Sequence, residues 1–323
     1  MNVFAVACQR MFYLSVFIVI GFILYYFKLL RVQLLKMMSD ILYNILLPIV
    51  IFNSFYSSFT LASLIGSFKF VCFFVLALII GLLIGLVYCK FRKTPGLTIG
   101  PLLFSGVFLN SGYISLPLIQ ALFSGPASMY ADKQALLYIT LAIIINNLTL
   151  GFTGNLLMTW FMSETADSSK LKLRQILINP PLIGFFFAVL CYTFKLKLPV
   201  LAVQGLSRIS QATPYWAMVV LGAMLCQCHW KTIFGDIEKY ILCTIRLLVV
   251  PMLLFMMTSL FGKDQTLLLT LVITTGAPAL AITPVFAKRN NVDVNWASGY
   301  TFLSTLLSMV TLPLLIMLTV KIL

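Results

Sequence analysis

Acidic residues are scarce in this chain: eight Asp and Glu stand against 22 Lys and Arg in 323 positions, with a single histidine. The eight carboxylates (Asp40, Asp132, Glu164, Asp167, Asp236, Glu238, Asp264 and Asp293) all fall in polar connections or at the ends of apolar runs. Proton relays and most sodium sites inside membranes rely on buried Asp, Glu or His. Their lack argues against a proton antiporter built on buried aspartates. It also argues against an intramembrane hydrolase, because Ser and Cys have no His partner and no His-Glu-x-x-His motif exists. The seven cysteines are scattered in or beside apolar runs. Cys226-Gln-Cys228-His229 lacks a second ligand cluster at zinc spacing, and His229 falls at a span end. No metal, cofactor or catalysis is expected.

Charge of either sign is also thin, at 9% of residues against about 25% in soluble proteins. Hydrophobic residues make up 61%, and the mean hydropathy is +1.06. The chain is therefore an all-α polytopic membrane protein, with the lipid bilayer as its first partner. Its net charge of +14 is no nucleic-acid signal, since the basic residues lie between apolar runs, where they set topology and meet anionic head groups. The first apolar run lacks a basic leader and is followed by Lys28 and Arg31, which reads as an uncleaved span.

At roughly 20 apolar residues per span, ten spans are expected, near 9–27, 38–58, 67–89, 100–122, 134–162, 176–194, 199–226, 237–260, 266–286 and 295–320. The longest polar connection, 163–175, separates residues 1–162 from 176–323, five spans each. An odd number of spans per half inverts one half relative to the other, as in many secondary transporters. Thirteen basic residues lie in the connections 1–2, 3–4, 5–6, 7–8 and 9–10: Lys28, Arg31, Lys36, Lys90, Arg92, Lys93, Lys170, Lys172, Arg174, Lys231, Lys239, Lys288 and Arg289. Six lie on the opposite face: Lys69, Lys133, Lys195, Lys197, Lys263 and Lys321. The bias places both termini outside the cytoplasm. Arg10, Arg208 and Arg246 are expected to snorkel to a nearby span end.

Two spans carry residues that a lipid-buried helix should not hold. Residues 106–118 contain Asn110, Ser111, Gly112, Ser115 and Pro117, and residues 274–284 contain Gly276, Pro278 and Pro284. Proline removes a donor, and glycine gives up packing and permits unusual dihedrals. Backbone groups freed at membrane depth survive only where protein or a wet cavity satisfies them. One interrupted span per half points to a midplane binding site, although Pro-kinked spans also occur with a packing role alone. Each break gives a half-helix whose N-terminus favours an anion, and a small organic carboxylate is the natural guest. The candidate binding residues are Asn110, Ser111, Gly112, Tyr113, Asn146, Asn147, Asn44, Gln211 and Thr283. Pro117, Pro278, Pro284, Gly276, Pro48 and Pro214 are the crossover and hinge candidates. For any one of the polar residues, a plain interhelical hydrogen bond of about 0.6 kcal/mol is the competing role.

Five motifs in order resemble the auxin efflux carrier family, which includes plant PIN proteins and bacterial relatives described as malate or malonate permeases. They are Asn44-Ile-Leu-Leu-Pro48, Asn110-Ser-Gly-Tyr113 with Leu116-Pro117, Asn179-Pro180-Pro181, Pro284-Val-Phe-Ala-Lys288 with Asn291-Val292, and Ser304-Thr-Leu-Leu-Ser308 through Pro313. The resemblance covers essentially the whole chain, without the long central loop of plant PIN proteins, so the chain looks like a short bacterial-type member. It implies two inverted five-helix repeats with broken, crossing helices 4 and 9, a bile-acid-symporter or NhaA-like plan. Helices 1, 2, 6 and 7 would form a scaffold, often homodimeric, and helices 3–5 and 8–10 a transport domain moving in an elevator-like manner. Asn110, Pro117 and Pro284 would shape the crossover, Asn146 would stand at the support site, and Lys69 would match a family lysine. Ile65 stands where the acid accompanying that lysine is expected, a departure that argues against auxin itself. The expected function is potential-driven transport of small organic anions in a cytoplasmic-type or plasma membrane. The alternatives are sodium-coupled symport through Asn146, Asn147, Thr274 and Thr275, and a membrane sensor that binds an anion without moving it.

Overall fold

A computed structural model of the chain describes residues 3–58, 65–92, 94–123, 133–159, 180–226 and 235–323. The 163–175 connection, Asn179, Lys93, Cys228, His229 and Lys231 lie outside the described residues. Every regular element described is a helix. In chain order these are α1 (Val3–Tyr26), α2 (Val32–Ile41), α3 (Leu47–Ser58), α4 (Phe68–Arg92), α5 (Gly96–Val107), α6 (Leu116–Phe123) and α7 (Lys133–Thr159). There follow α8 (Pro180–Thr193), α9 (Val200–Cys226), α10 (Ile237–Thr244), α11 (Val250–Ser259), α12 (Gln265–Thr275), α13 (Thr283–Arg289) and α14 (Val294–Ile322). Four stretches have the length and composition to cross a bilayer: Val32–Asn53, Phe68–Arg92, Ile237–Ser259 and Val294–Ile322. Shorter apolar helices, Gly96–Val107 and Gln265–Thr275 among them, accompany these. The chain is an all-helical, multi-pass integral membrane protein.

Three wide turns, Leu42–Leu46, Ser111–Ser115 and Ile245–Val249, each lead into a helix whose second residue is proline: Pro48, Pro117 and Pro251. A proline ring crowds the carbonyl four residues back and offers it no donor. The N–H of the residue before each proline reaches one position further back instead, to the carbonyls of Leu42, Ser111 and Ile245. Pro48 and Pro117 therefore widen a helix without ending it. The break in the fourth apolar run lies upstream of Pro117, at residues 108–110.

The helices sort by burial. All nine residues from Leu267 to Thr275 in α12 are buried, whereas α1 and α8 turn Val19, Ile23, Phe186 and Phe187 outward, as lipid-facing helices do. α1 packs along α9 and α3 along α8, while α5 is clasped by α4, α7 and α14. The α1–α9 contact is backbone to backbone: a Cβ on Gly21 would overlap the Val219 carbonyl, and one on Gly222 the Ile18 carbonyl. Gly205, on the same helix as Gly222, has open space around its Cβ position. Gly205→Ala should therefore raise stability by about 0.5–1 kcal/mol through helix propensity. Gly222→Ala should lower it by about 1–3 kcal/mol through overpacking. Thermal unfolding of the two purified variants in detergent checks the opposite signs.

Candidate functional site

The two interruptions meet. α5 ends at Val107, and Phe108 turns extended (φ −89°, ψ 125°). Asn110 (φ −80°, ψ 50°) then starts the next helical stretch from Ser111. α12 ends at Thr275, where Gly276 (φ −78°, ψ 0°) and Pro278 stop it, and the chain resumes as α13 with Pro284 in the first turn. A missing N–H costs nothing there, so Pro284 starts a helix and kinks nothing. Gly112 and Gly276 both have ordinary negative φ, since among the described glycines only Gly262 is positive. The breaks thus need no left-handed residue.

What holds the breaks open is mutual backbone pairing. Leu109 and Ala279 form an isolated antiparallel bridge. Asn110 N–H donates to the Pro278 carbonyl at 2.9 Å, and Leu280 N–H donates to the Phe108 carbonyl at 3.2 Å. Further groups are met from neighbouring helices. Asn146 Nδ2, from α7, donates to the Leu109 carbonyl at 3.0 Å, and its Oδ1 accepts from Leu109 N–H at 3.5 Å. Ser304 Oγ, from α14, accepts from Ala279 N–H at 3.3 Å. Ser115 Oγ, just past the first break, donates to the Ile273 carbonyl at 3.1 Å, tying that stretch to α12. These bonds satisfy the Leu109 and Asn110 backbone and part of the second break at a depth where water cannot serve it.

The C-terminal ends of α5 and α12 share one ligand, Arg246. Its Nε donates to the Gly106 carbonyl at 3.1 Å and its Nη1 to the Thr275 carbonyl at 2.7 Å. The residue is 4% exposed, Nη2 has no partner, and no described carboxylate pairs with it. The expected snorkelling of Arg246 does not occur. It follows Ile237 by nine residues, so it sits about 14 Å along the helix, near the middle of a hydrocarbon core about 30 Å thick. That count of turns was the signal available in sequence. Arg208, by contrast, is exposed.

The structure gathers most of the candidate residues at this crossing. Asn110, Ser111 and Thr283 are buried, and Asn110 Nδ2, in a residue only 1% exposed, has no hydrogen-bond partner. Ser111 Oγ donates to the Leu109 carbonyl at 3.4 Å, and Thr283 Oγ1 donates to the Leu280 carbonyl at 2.6 Å. Gly112 lies against α3, its Cβ position 3.7 Å from Leu47 Cδ1, and Tyr113 packs half-buried on the core. Asn147 turns away and bonds its own helix at the Ile143 carbonyl, 2.8 Å. Thr274 and Thr275 likewise bond their own helix, at the Thr270 and Leu271 carbonyls. Asn44 and Gln211 are not at the crossing's buried centre: both are exposed, and Gln211 reaches Ser207 at 3.4 Å. Pro48 is met by Gly184 of α8, and the side chain of Pro214 lies outside the described ones. Ser115, Ser304 and Arg246 join the site although none is among the candidates expected from sequence.

Two comparisons bear on this geometry. A family model described as "Membrane transport protein" matches residues 6–316. An uncharacterized transporter from Methanothermobacter thermautotrophicus is 23% identical over 307 residues, covering 93% of this chain and 94% of that protein.

Proposed function

The chain belongs to the membrane transport protein family, the auxin efflux carrier family that its motifs resemble, and from that premise we propose that it is a secondary carrier of small organic anions. The observation that carries the substrate class is Asn110. Its amide Nδ2 is buried and unpartnered, and it stands at the N-terminus of the helical stretch Ser111–Phe123. Helix geometry leaves the first N–H groups of such a stretch without acceptors inside it, and its macrodipole adds about half a positive charge. A carboxylate supplies both the missing acceptor and the missing negative charge. The α13 start adds little, because its seven residues make a short dipole.

The architecture we infer is ten spans in two inverted five-helix repeats, 1–162 and 176–323, joined by a cytoplasmic connection at 163–175. It is supported by the way each break is held by a side chain from the span that follows it, Asn146 for the first and Ser304 for the second. α1, α2–α3, α8 and α9 make the scaffold, able to pair as a homodimer, and the remaining helices make the transport domain. Alternating access is an elevator-like displacement of the crossing against Leu47 and its neighbours. Transport is driven by the membrane potential in a cytoplasmic-type or plasma membrane, with both termini on the outer side. A potential of about 100 mV is worth about 2.3 kcal/mol per charge, which drives a monovalent anion outward roughly fifty-fold.

The test is current from purified protein in liposomes with a panel of mono- and dicarboxylates and no ion gradient. We expect current from one carboxylate class, lost in Asn110→Ala. Current that requires sodium would replace this reading with coupled symport. Carboxylate binding without flux under any gradient would replace it with a sensor.

A further inference from the structure

A buried guanidinium without a carboxylate partner needs its charge balanced by something else. At Arg246 the balance comes from backbone. Gly106 and Thr275 lie in the last turns of α5 and α12, and each helix C-terminus carries about half a negative charge. Two such ends converging on one point add to roughly one negative charge, a good seat for a monovalent cation. Arg246 fills it, with one nitrogen on each carbonyl, and no described carboxylate pairs with it. Arg246, whose Nη2 is free, also lines a cavity between α4, α5, the α10–α11 stretch and α14, walled by Gly81, Gly85, Gly106, Trp296 and Tyr300. That cavity leaves about 20 Å³ for the centre of a water-sized body, room for a single water. All its walls belong to the helices assigned above to the transport domain.

We infer that Arg246 is a fixed internal cation. It holds the seat that a bound alkali ion would otherwise occupy between the two half-helix ends, and it thereby makes the carrier independent of a coupling cation. This deepens the proposed carrier function and rests on it. The positive charge travels with the transport domain in both directions and adds nothing to the stoichiometry, so the net moving charge is that of the anion alone.

The test uses full-length protein and two readouts, so that failure of this inference is distinct from failure of the carrier reading. In thermal unfolding, Arg246→Ala should melt about 5–10 °C below the parent. Low-millimolar guanidinium, far below denaturing concentrations, should restore much of that difference while leaving the parent unmoved. Arg246→Lys should lie between the two, and Arg246→Gln near the alanine variant. This arm needs no transported substrate. In liposomes, flux of whichever carboxylate the parent carries should be unchanged when sodium is replaced by N-methylglucamine. It should fall about tenfold or more in Arg246→Ala and recover with guanidinium or an alkali cation. Should Arg246→Ala fail to fold, the lysine and glutamine variants carry the comparison. Equal stability of Lys and Gln variants would overturn the inference, because the charge would then be idle, and so would sodium-dependent flux in the parent protein.

Discussion

Asn146→Leu should cost about 2–4 kcal/mol and abolish transport, while Asn147→Leu, one residue along, should cost under about 1 kcal/mol. The two side chains are chemically identical, adjacent and both buried, so only their partners separate them. The Asn147 amide donates to a carbonyl of its own helix, and that carbonyl keeps a partner when the amide goes. The Asn146 amide makes both bonds available to Leu109, a residue in the extended break where no helix supplies alternatives. Leaving a buried donor or acceptor unsatisfied costs about 1–3 kcal/mol. Leu109 would lose one of each, with its carbonyl partly retained by Ser111 Oγ at 3.4 Å. This exceeds the roughly 0.6 kcal/mol of an average interhelical bond in a membrane, because the lost bonds serve backbone and not another mobile side chain. The extended pairing of Leu109 with Ala279 depends on the same geometry, so transport should fail before global folding does. Thermal unfolding and liposome flux on the two variants decide the matter. Equal effects would mean that the break is held by the bridge alone.

That contrast shows why the crossing was partly legible in sequence. Asn110, Pro117, Pro278 and Pro284 stand out because each is expensive in an apolar helix, and cost is visible without coordinates. Identity of partner is not. Asn146 and Asn147 differ by one residue, about 100° around the helix, and no one-dimensional pattern says which faces the break. Asn44 and Gln211 are polar residues within spans, which usually face inward, yet both are exposed, because the packing of whole helices decides which face meets the core. Pro117 was read as part of the break itself, but widening the preceding turn satisfies the ring at lower cost, which leaves Phe108–Asn110 to do the unwinding. Arg246 was missed for a different reason. Snorkelling is the default for an arginine in a span, and its exception here depends on two helix ends brought together from residues 140 and 29 positions away.

Asn110→Asp is the sharpest test of the anion reading, because it changes charge with almost no change in shape. A carboxylate at the start of a helical stretch is favoured by the dipole by about 0.3–1 kcal/mol, and by up to about 2 kcal/mol where partly buried. Burial of the ionised group offsets that gain, so the variant should stay folded but be less stable than the parent at neutral pH and recover toward it as pH falls, a dependence that Asn110→Ala lacks. Transport should fall as well. The aspartate takes the same N–H groups that a substrate carboxylate would use, and it repels the incoming anion. At about 5 Å and an effective dielectric of about 20, that repulsion is about 3 kcal/mol, or roughly a hundredfold in affinity. Deleting the amide in Asn110→Ala removes one hydrogen bond to a charged group, about 1.5–3 kcal/mol, a loss of the same order without the repulsion. The aspartate is distinguished by pH. Its repulsion exists only while it is ionised, so flux in Asn110→Asp should rise as pH falls through its titration, whereas Asn110→Ala should show no such recovery. Undiminished carboxylate current in the aspartate variant would sink the assignment of Asn110 to the anion path. A variant that is folded, silent at neutral pH and partly restored by acid would tie the unpartnered amide, the helix start behind it and the charge of the substrate into one site.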